Sequence, residues 1–198
     1  MPGPVSRNLS CMGRGAAASA APVSAPTLGR EAMTIAARES LEDCRTALGE
    51  LVDGVQGRQW RVKWITCVVL LRAVGHVLDN VDGAREPSLR HAIDHWWKTM
   101  KASKPAPEVF WSFIDDERNA ILKEYQTRAG QGVTVQLSGI QVNLRTGEQK
   151  VDPPGPHIYH YTINTGPFAG REQRELLAEA IAWWEAQLDL IDRAAIAA

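Results

Sequence analysis

The side chains best placed to do chemistry are Arg72, His76 and Asp79. Arg72 and His76 are four residues apart, a spacing that puts two side chains on one helix face, and Asp79 follows three residues later. The chain around them is apolar, and a charge on an apolar helix must be paired or must reach water. Carboxylates for such a pair are offered by Asp115-Asp116-Glu117, followed directly by Arg118-Asn119. One expectation is a structural polar network of Arg72, Asp79, Glu117 and Lys123. The other is a cleft floor, where desolvation and neighbouring charge tune His76.

A second constellation is His91-x-x-Asp94-His95. Histidines at i and i+4 face the same way and can chelate a metal. A catalytic zinc site needs three protein ligands and an open position, and no third well-spaced ligand is identifiable, so a metal-dependent hydrolase is the weakest expectation. His157 and His160 fall on opposite faces if their strand is regular. Gly166-Pro167-Phe168-Ala169-Gly170-Arg171 lacks the Gly-Lys-Ser/Thr ending of a phosphate loop and reads as a rigid turn before the last helix, where Arg171 and Arg174 could meet an anion.

The stretch from Glu117-Arg118-Asn119 to Lys123, on a helix of a small bundle, resembles the HEPN superfamily. The resemblance implies a helical bundle, a dimer with facing motifs and, in active members, a metal-independent ribonuclease of toxin or phage-defence systems. Those members carry Arg, often followed by Asn, then His after four to six residues. Arg118 and Asn119 match, Lys123 stands where the His is expected, and no His occurs between Val109 and Tyr125. Cleaving RNA through its own 2′-hydroxyl needs a proton acceptor near neutrality and a cation for the phosphorane charge. Arg118 supplies the cation, but Lys123 is a poor base without a strongly depressed pKa. The leading expectation is therefore a non-enzymatic interaction or regulatory module resembling a degenerate HEPN domain. It would be a homodimer or bind a protein partner, with RNA as a further ligand, and without DNA, membrane or cofactor. The rival is a ribonuclease of Arg118 and Asn119 in which His76 replaces the missing base.

The elements that would carry these residues are legible from periodicity. Ala37, Leu41, Cys44, Leu48, Leu51 and Val55 mark one helix face over Met33–Val55. From Gln59 to Asn80, one stripe runs from Trp60 to Leu78 and a second from Val62 to Val77, predicting a central helix buried nearly all round. Ser88 is a plausible N-cap for a third helix to Ser103. Pro107 suits the first turn of a fourth helix over Val109–Tyr125, closed by Gly130 and Gly132. Val133, Val135 and Leu137, then Ile140, Val142 and Leu144, alternate on opposite parities, so a bulge is expected at Ser138-Gly139. Ile158–Ile163 is a further strand. Leu177, Ile181, Trp184, Leu188 and Ile191 form the stripe of a last helix beginning near Gly170. The predicted fold is mostly α (α+β): about five helices in a bundle, with a small antiparallel β insertion at about 133–164 before the last helix.

Trp96-Trp97 and Trp183-Trp184 are adjacent pairs. Neighbours on a helix point about 100° apart, so one of each pair is a candidate for the bundle edge and a dimer interface. Tryptophan is the compositional surplus, at 7 against 3 Phe and 3 Tyr. Lys plus Arg is 22 and Asp plus Glu is 23, giving no basic excess for broad polyanion binding. Val, Ile, Leu and Phe make 45 of 198 residues, above the roughly 20% floor of folded chains. Three cysteines, Cys11, Cys44 and Cys67, form no Cys-x-x-Cys pair; two in apolar helices read as buried thiols of a reducing, cytoplasmic compartment. The apolar run Trp64–Leu71 is too short to span a bilayer. Residues 1–32 are rich in Ala, Pro, Gly and Ser and read as a disordered tail or a misassigned start before Met33, leaving 33–198 as a single domain.

Overall fold

The computed structural model describes residues 33–135 and 139–198. The tail 1–32 with Cys11, and Leu137 and Ser138 at the expected bulge, lie outside the described residues. Among the described residues are α1 (Ile35–Gly49), α2 (Gly57–Asn80), a 3-10 turn (Asp82–Ala84) and α3 (Pro87–Ala102). A π-helical segment (Val109–Asp115) leads into α4 (Asp116–Glu124). Then come β1 (Ala129–Thr134), β2 (Ile140–Val142), β3 (Gln149–Val151), β4 (Ile158–Ile163) and α5 (Gln173–Ala197). The fold is mostly helical, with a small antiparallel β region before the last helix, as the periodicity predicts.

The helices form where apolar stripes can meet. Trp64, Cys67, Val68, Leu71, Val74 and Leu78 of α2 are buried against α1, α4 and α5. The second stripe behaves differently from expectation. Val62 is exposed, and Ile65, Val69, Ala73 and Val77 are only half-buried, so α2 is central without being enclosed. By length and composition α2 and the turn after it would also satisfy a bilayer span, although no single apolar run does; in this fold its inner stripe is spent on the bundle core. α1 stops at Gly49 rather than Val55, and Gly54 at φ +89° lies in the turn that follows. α3 opens with Pro87 at its first position, so Ser88 lies inside the helix and does not cap it. α5 starts at Gln173, not Gly170, because Glu172 caps it by accepting a hydrogen bond from Glu175 N at 2.9 Å. Its predicted stripe of Leu177, Ile181, Trp184, Leu188 and Ile191 is buried throughout.

The fourth helix divides in two. Asp116 N donates to Trp111 O, five residues back, and the chain turns α-helical only from Asp116. It ends at Tyr125, in the left-handed region at φ 54°. Gly130 and Gly132, expected to close that helix, lie instead inside β1, which pairs antiparallel with β4 from Ala129↔Ile163 to Thr134↔Ile158. A Cβ on Gly130 would meet Asn164 Nδ2 at 2.1 Å, so close approach, and not helix termination, explains that glycine. β2 and β3 form a separate antiparallel pair. Gln173 sews the first sheet to the bundle. Its amide donates to Gly130 O at 2.6 Å and Thr162 O at 2.8 Å, and its oxygen accepts from Trp60 Nε1 at 3.1 Å.

The N-terminus of α1 has no side-chain cap of its own. Asp82, fully buried, accepts from Ala36 N at 3.0 Å and Ala37 N at 2.8 Å. Asp192 of α5 accepts from Met33 N, from Thr34 N at 2.9 Å and from the Thr34 hydroxyl at 3.1 Å. Two remote carboxylates thus satisfy donors that a helix start leaves orphaned. Asp82→Ala is expected to cost about 1–3 kcal/mol by stranding those buried N–H groups. Urea unfolding measures it, and an unchanged midpoint would show that α1 draws no stability from Asp82.

Candidate functional site

One open cleft of about 610 Å³ lies among α2, α3 and the π-helical segment. α2 contributes Arg72, Gly75, His76 and Asp79. α3 contributes Asp94, Trp97, Lys98 and Lys101, at spacings of three and four that keep them on one face. Trp111 and Asp115 come from the π-helical segment.

The polar chain at its floor joins α2 to α4. Arg72 Nε donates to Asp115 Oδ1 at 3.0 Å, and Asn119 Nδ2 donates to Asp115 Oδ2 at 3.3 Å. Arg118 Nη1 in turn donates to Asn119 Oδ1 at 2.9 Å. The sequence predicts an Arg72 pair with a carboxylate of this run, and Asp115 is that carboxylate. The other expected members do not join this chain of bonds. Asp79 takes Arg90 Nη2 at 2.6 Å, and the same guanidinium nitrogen reaches Asp94 at 2.5 Å. Lys123 is exposed beside a separate hollow with Asp116, Asn119 and Arg128. Glu117 points into the core, where it is 1% exposed. There it accepts from Trp64 Nε1 at 3.1 Å and from Arg128 N at 3.0 Å.

The electrostatics of the cleft are uneven. The lining itself balances three cations, Arg72, Lys98 and Lys101, against three carboxylates, Asp79, Asp94 and Asp115; but Arg90, outside the lining, serves Asp79 and Asp94, and Arg72 serves Asp115, which leaves Lys98, Lys101 and, next to the cleft, Arg118. Those last three form no ion pair among the described residues. Arg72 Nη1 is buried with no hydrogen-bond partner. His76 is held below the ordinary imidazole value, first by partial desolvation, then by the positive charges of Arg72 and Arg118, against weaker opposition from Asp79 and Asp115. The neutral imidazole, with a ring nitrogen able to accept a proton, is thereby favoured. Burial pushes Glu117 above the usual carboxylate range, opposed by its bonds from Trp64 and Arg128.

The four paired tryptophans belong to one aromatic cluster around Phe110. Trp96 and Trp184 are buried, and Trp97 and Trp183 are half-buried against the core. Trp97 and Trp111 each meet Phe110 edge-on, at 5.7 and 4.8 Å between centroids. Lys101 Nζ stands 5.8 Å from the Trp97 ring, and Lys104 Nζ 4.6 Å from that of Trp111. The remaining candidates stay apart. Among the described residues no three His, Cys, Asp or Glu side chains form a metal-binding group, and Asp94 between His91 and His95 is taken by Arg90. His157 precedes β4, whereas His160 Nε2 lies 2.9 Å from Thr134 Oγ1. Arg171 is paired with Glu179, and Arg174 with Asp53 and Glu172, so the start of α5 offers no free cation from either. Cys44 and Cys67 are free and buried, with both thiols pushed up to about 12 by burial.

Sequence reasoning missed Lys98, Lys101 and Trp111 as site residues. The signal for the first two was the i, i+4 step from Trp97 to Lys101, with Lys98 between. Trp111 carried no signal, because its direction depends on the π-helical register. No protein-family model matches the chain, and neither the curated proteins nor the solved structures compared with it include a match.

Two measurements follow from these charges. NMR titration of His76 should give a midpoint below about 6.5 that rises in Arg118→Ala; a midpoint that ignores Arg118 would separate the two groups. For Glu117, a folded-state pKa above the unfolded one means its contribution is greatest at acid pH and declines as pH rises through the folded value. Glu117→Gln keeps the acceptor for Trp64 and Arg128 without the buried charge. It should match or exceed wild-type thermal stability at pH 7 and flatten the pH dependence, whereas Glu117→Ala should lose about 1–3 kcal/mol. A large loss in Glu117→Gln would overturn this account.

Proposed function

We propose that this protein is an interaction module whose cleft among α2, α3 and the π-helical segment binds single-stranded RNA. The carrying observation is Arg72. Its Nε is fixed by Asp115, so the guanidinium is held in the lining of the cleft, where a phosphate oxygen can approach it. Lys98, Lys101 and Arg118 supply unpaired positive charge around it, and Trp97 and Trp111 supply half-exposed faces on which a base can stack. The Arg118-Asn119 resemblance to the HEPN superfamily supports RNA as the polyanion. The free, buried Cys44 and Cys67 fit a reducing compartment.

A labelled single-stranded RNA of about 12 nucleotides, followed by fluorescence anisotropy at low salt, tests this. Lys98→Glu with Lys101→Glu should weaken binding at least about tenfold and flatten its salt dependence. No binding by the wild type, or equal binding by the double variant, would remove the proposal. A second reading, cleavage of that RNA, is supported by the favoured neutral imidazole of His76 beside two guanidinium groups. It predicts EDTA-resistant cleavage that His76→Ala and Arg118→Ala each abolish, with binding retained in His76→Ala; RNA left intact by the wild type would refute it.

A further inference from the structure

Half of the large apolar side chains exposed among the described residues lie between positions 133 and 158. The outer part of this segment is the β2–β3 hairpin, in which every strand residue is exposed. Ile140↔Val151 and Val142↔Gln149 share one face, while Gln141↔Lys150 lie on the other. A lone two-stranded hairpin is marginal in water, and three or more strands with an apolar face are needed for independent stability. Among the described residues the hairpin has no third strand beside it.

We infer that β2 pairs with β2 of a second copy of this chain, antiparallel about a twofold axis at Gln141, to make a four-stranded sheet. Three observations single out this edge and this occupant. Asp152 N donates to Gly139 O at 2.9 Å and Asn143 N to Glu148 O at 2.8 Å, which sets the alternation of the ladder. Gly139, Gln141 and Asn143 therefore turn their backbone groups toward β3, and Ile140 and Val142 turn theirs outward. Placing Ile140 opposite Val142 of the second copy satisfies these outward groups reciprocally. Second, although β2 is short, its edge lacks the charge and the proline that natural sheets use against self-pairing: Gly139 to Leu144 contains neither. The β3 strand, by contrast, carries Lys150 between Glu148 and Asp152. Third, the twofold register sets Gln141 against Gln141 and apolar against apolar, with no like charges opposed. This association does not use the paired tryptophans and is independent of the RNA proposal.

Light scattering and sedimentation of the full chain test it. The wild type is expected to be a dimer at micromolar concentration, with Val142→Lys raising the dimer dissociation constant at least tenfold while circular dichroism is unchanged. In a Cys11→Ser background, Gln141→Cys is expected to form an intermolecular disulfide on mild oxidation, since residues facing each other across a non-hydrogen-bonded pair lie at disulfide range. A monomeric wild type, a dimer indifferent to Val142→Lys, or a Gln141→Cys protein that yields no cross-linked homodimer would each overturn the inference.

Discussion

The buried carboxylate of Glu117 holds the working parts of this molecule in place. It joins α4 to α2 through Trp64 and joins α4 to the start of β1 through the Arg128 amide. Because α4 is short and ends in a left-handed residue, it has little apolar surface with which to hold its own orientation. The two bonds to Glu117 fix its rotation, and that rotation decides where the next residues, Arg118 and Asn119, must point. With α4 turned this way, Asn119 meets Asp115, Asp115 meets Arg72, and His76 lies within the field of both guanidinium groups. A desolvated charge is an expensive fastener, but a directional one, and a hydrophobic residue at 117 would leave α4 free to slide.

The cleft is built by a division of labour among its acids. Asp115 anchors Arg72, while Asp79 and Asp94 are drawn away by Arg90. Positive charge is thereby left uncovered on the side where Trp97 and Trp111 are half-open. A mildly acidic chain can still present a locally basic surface, because what matters at a site is which carboxylates are already engaged.

How far the sequence foretold this depends on the range of the interaction. Stripes such as Leu177 to Ile191 were legible because a helix face repeats locally, and the Arg72 pair was legible because charge on an apolar helix needs a partner. Asp79 and Glu117 were misassigned for the same reason as each other: their partners, Arg90 and Trp64, are equally plausible on charge or polarity, and only the packed geometry selects them. Gly130 and Gly132 read as a stop because glycine marks turns, while the actual demand at Gly130 is room for Asn164. The change from π- to α-helix at Asp116 leaves no periodic trace in so short a segment, yet it orients Trp111. Lys98 and Lys101 looked like an ordinary solvated face until α2 and the π-helical segment were set beside them.

The grip on α1 has a consequence for how the chain acquires its shape during synthesis. Thr34 and Asp192 are 158 positions apart, so the first helix of the bundle meets one of its two anchors only after all the other described helices have been made. Asp82 becomes available much earlier, once α2 has left the ribosome, and offers a provisional hold on α1. The closing contact therefore joins the opening of the described chain to its last helix. Vectorial synthesis delays it, and a chain truncated before α5 would emerge with the start of α1 only half secured.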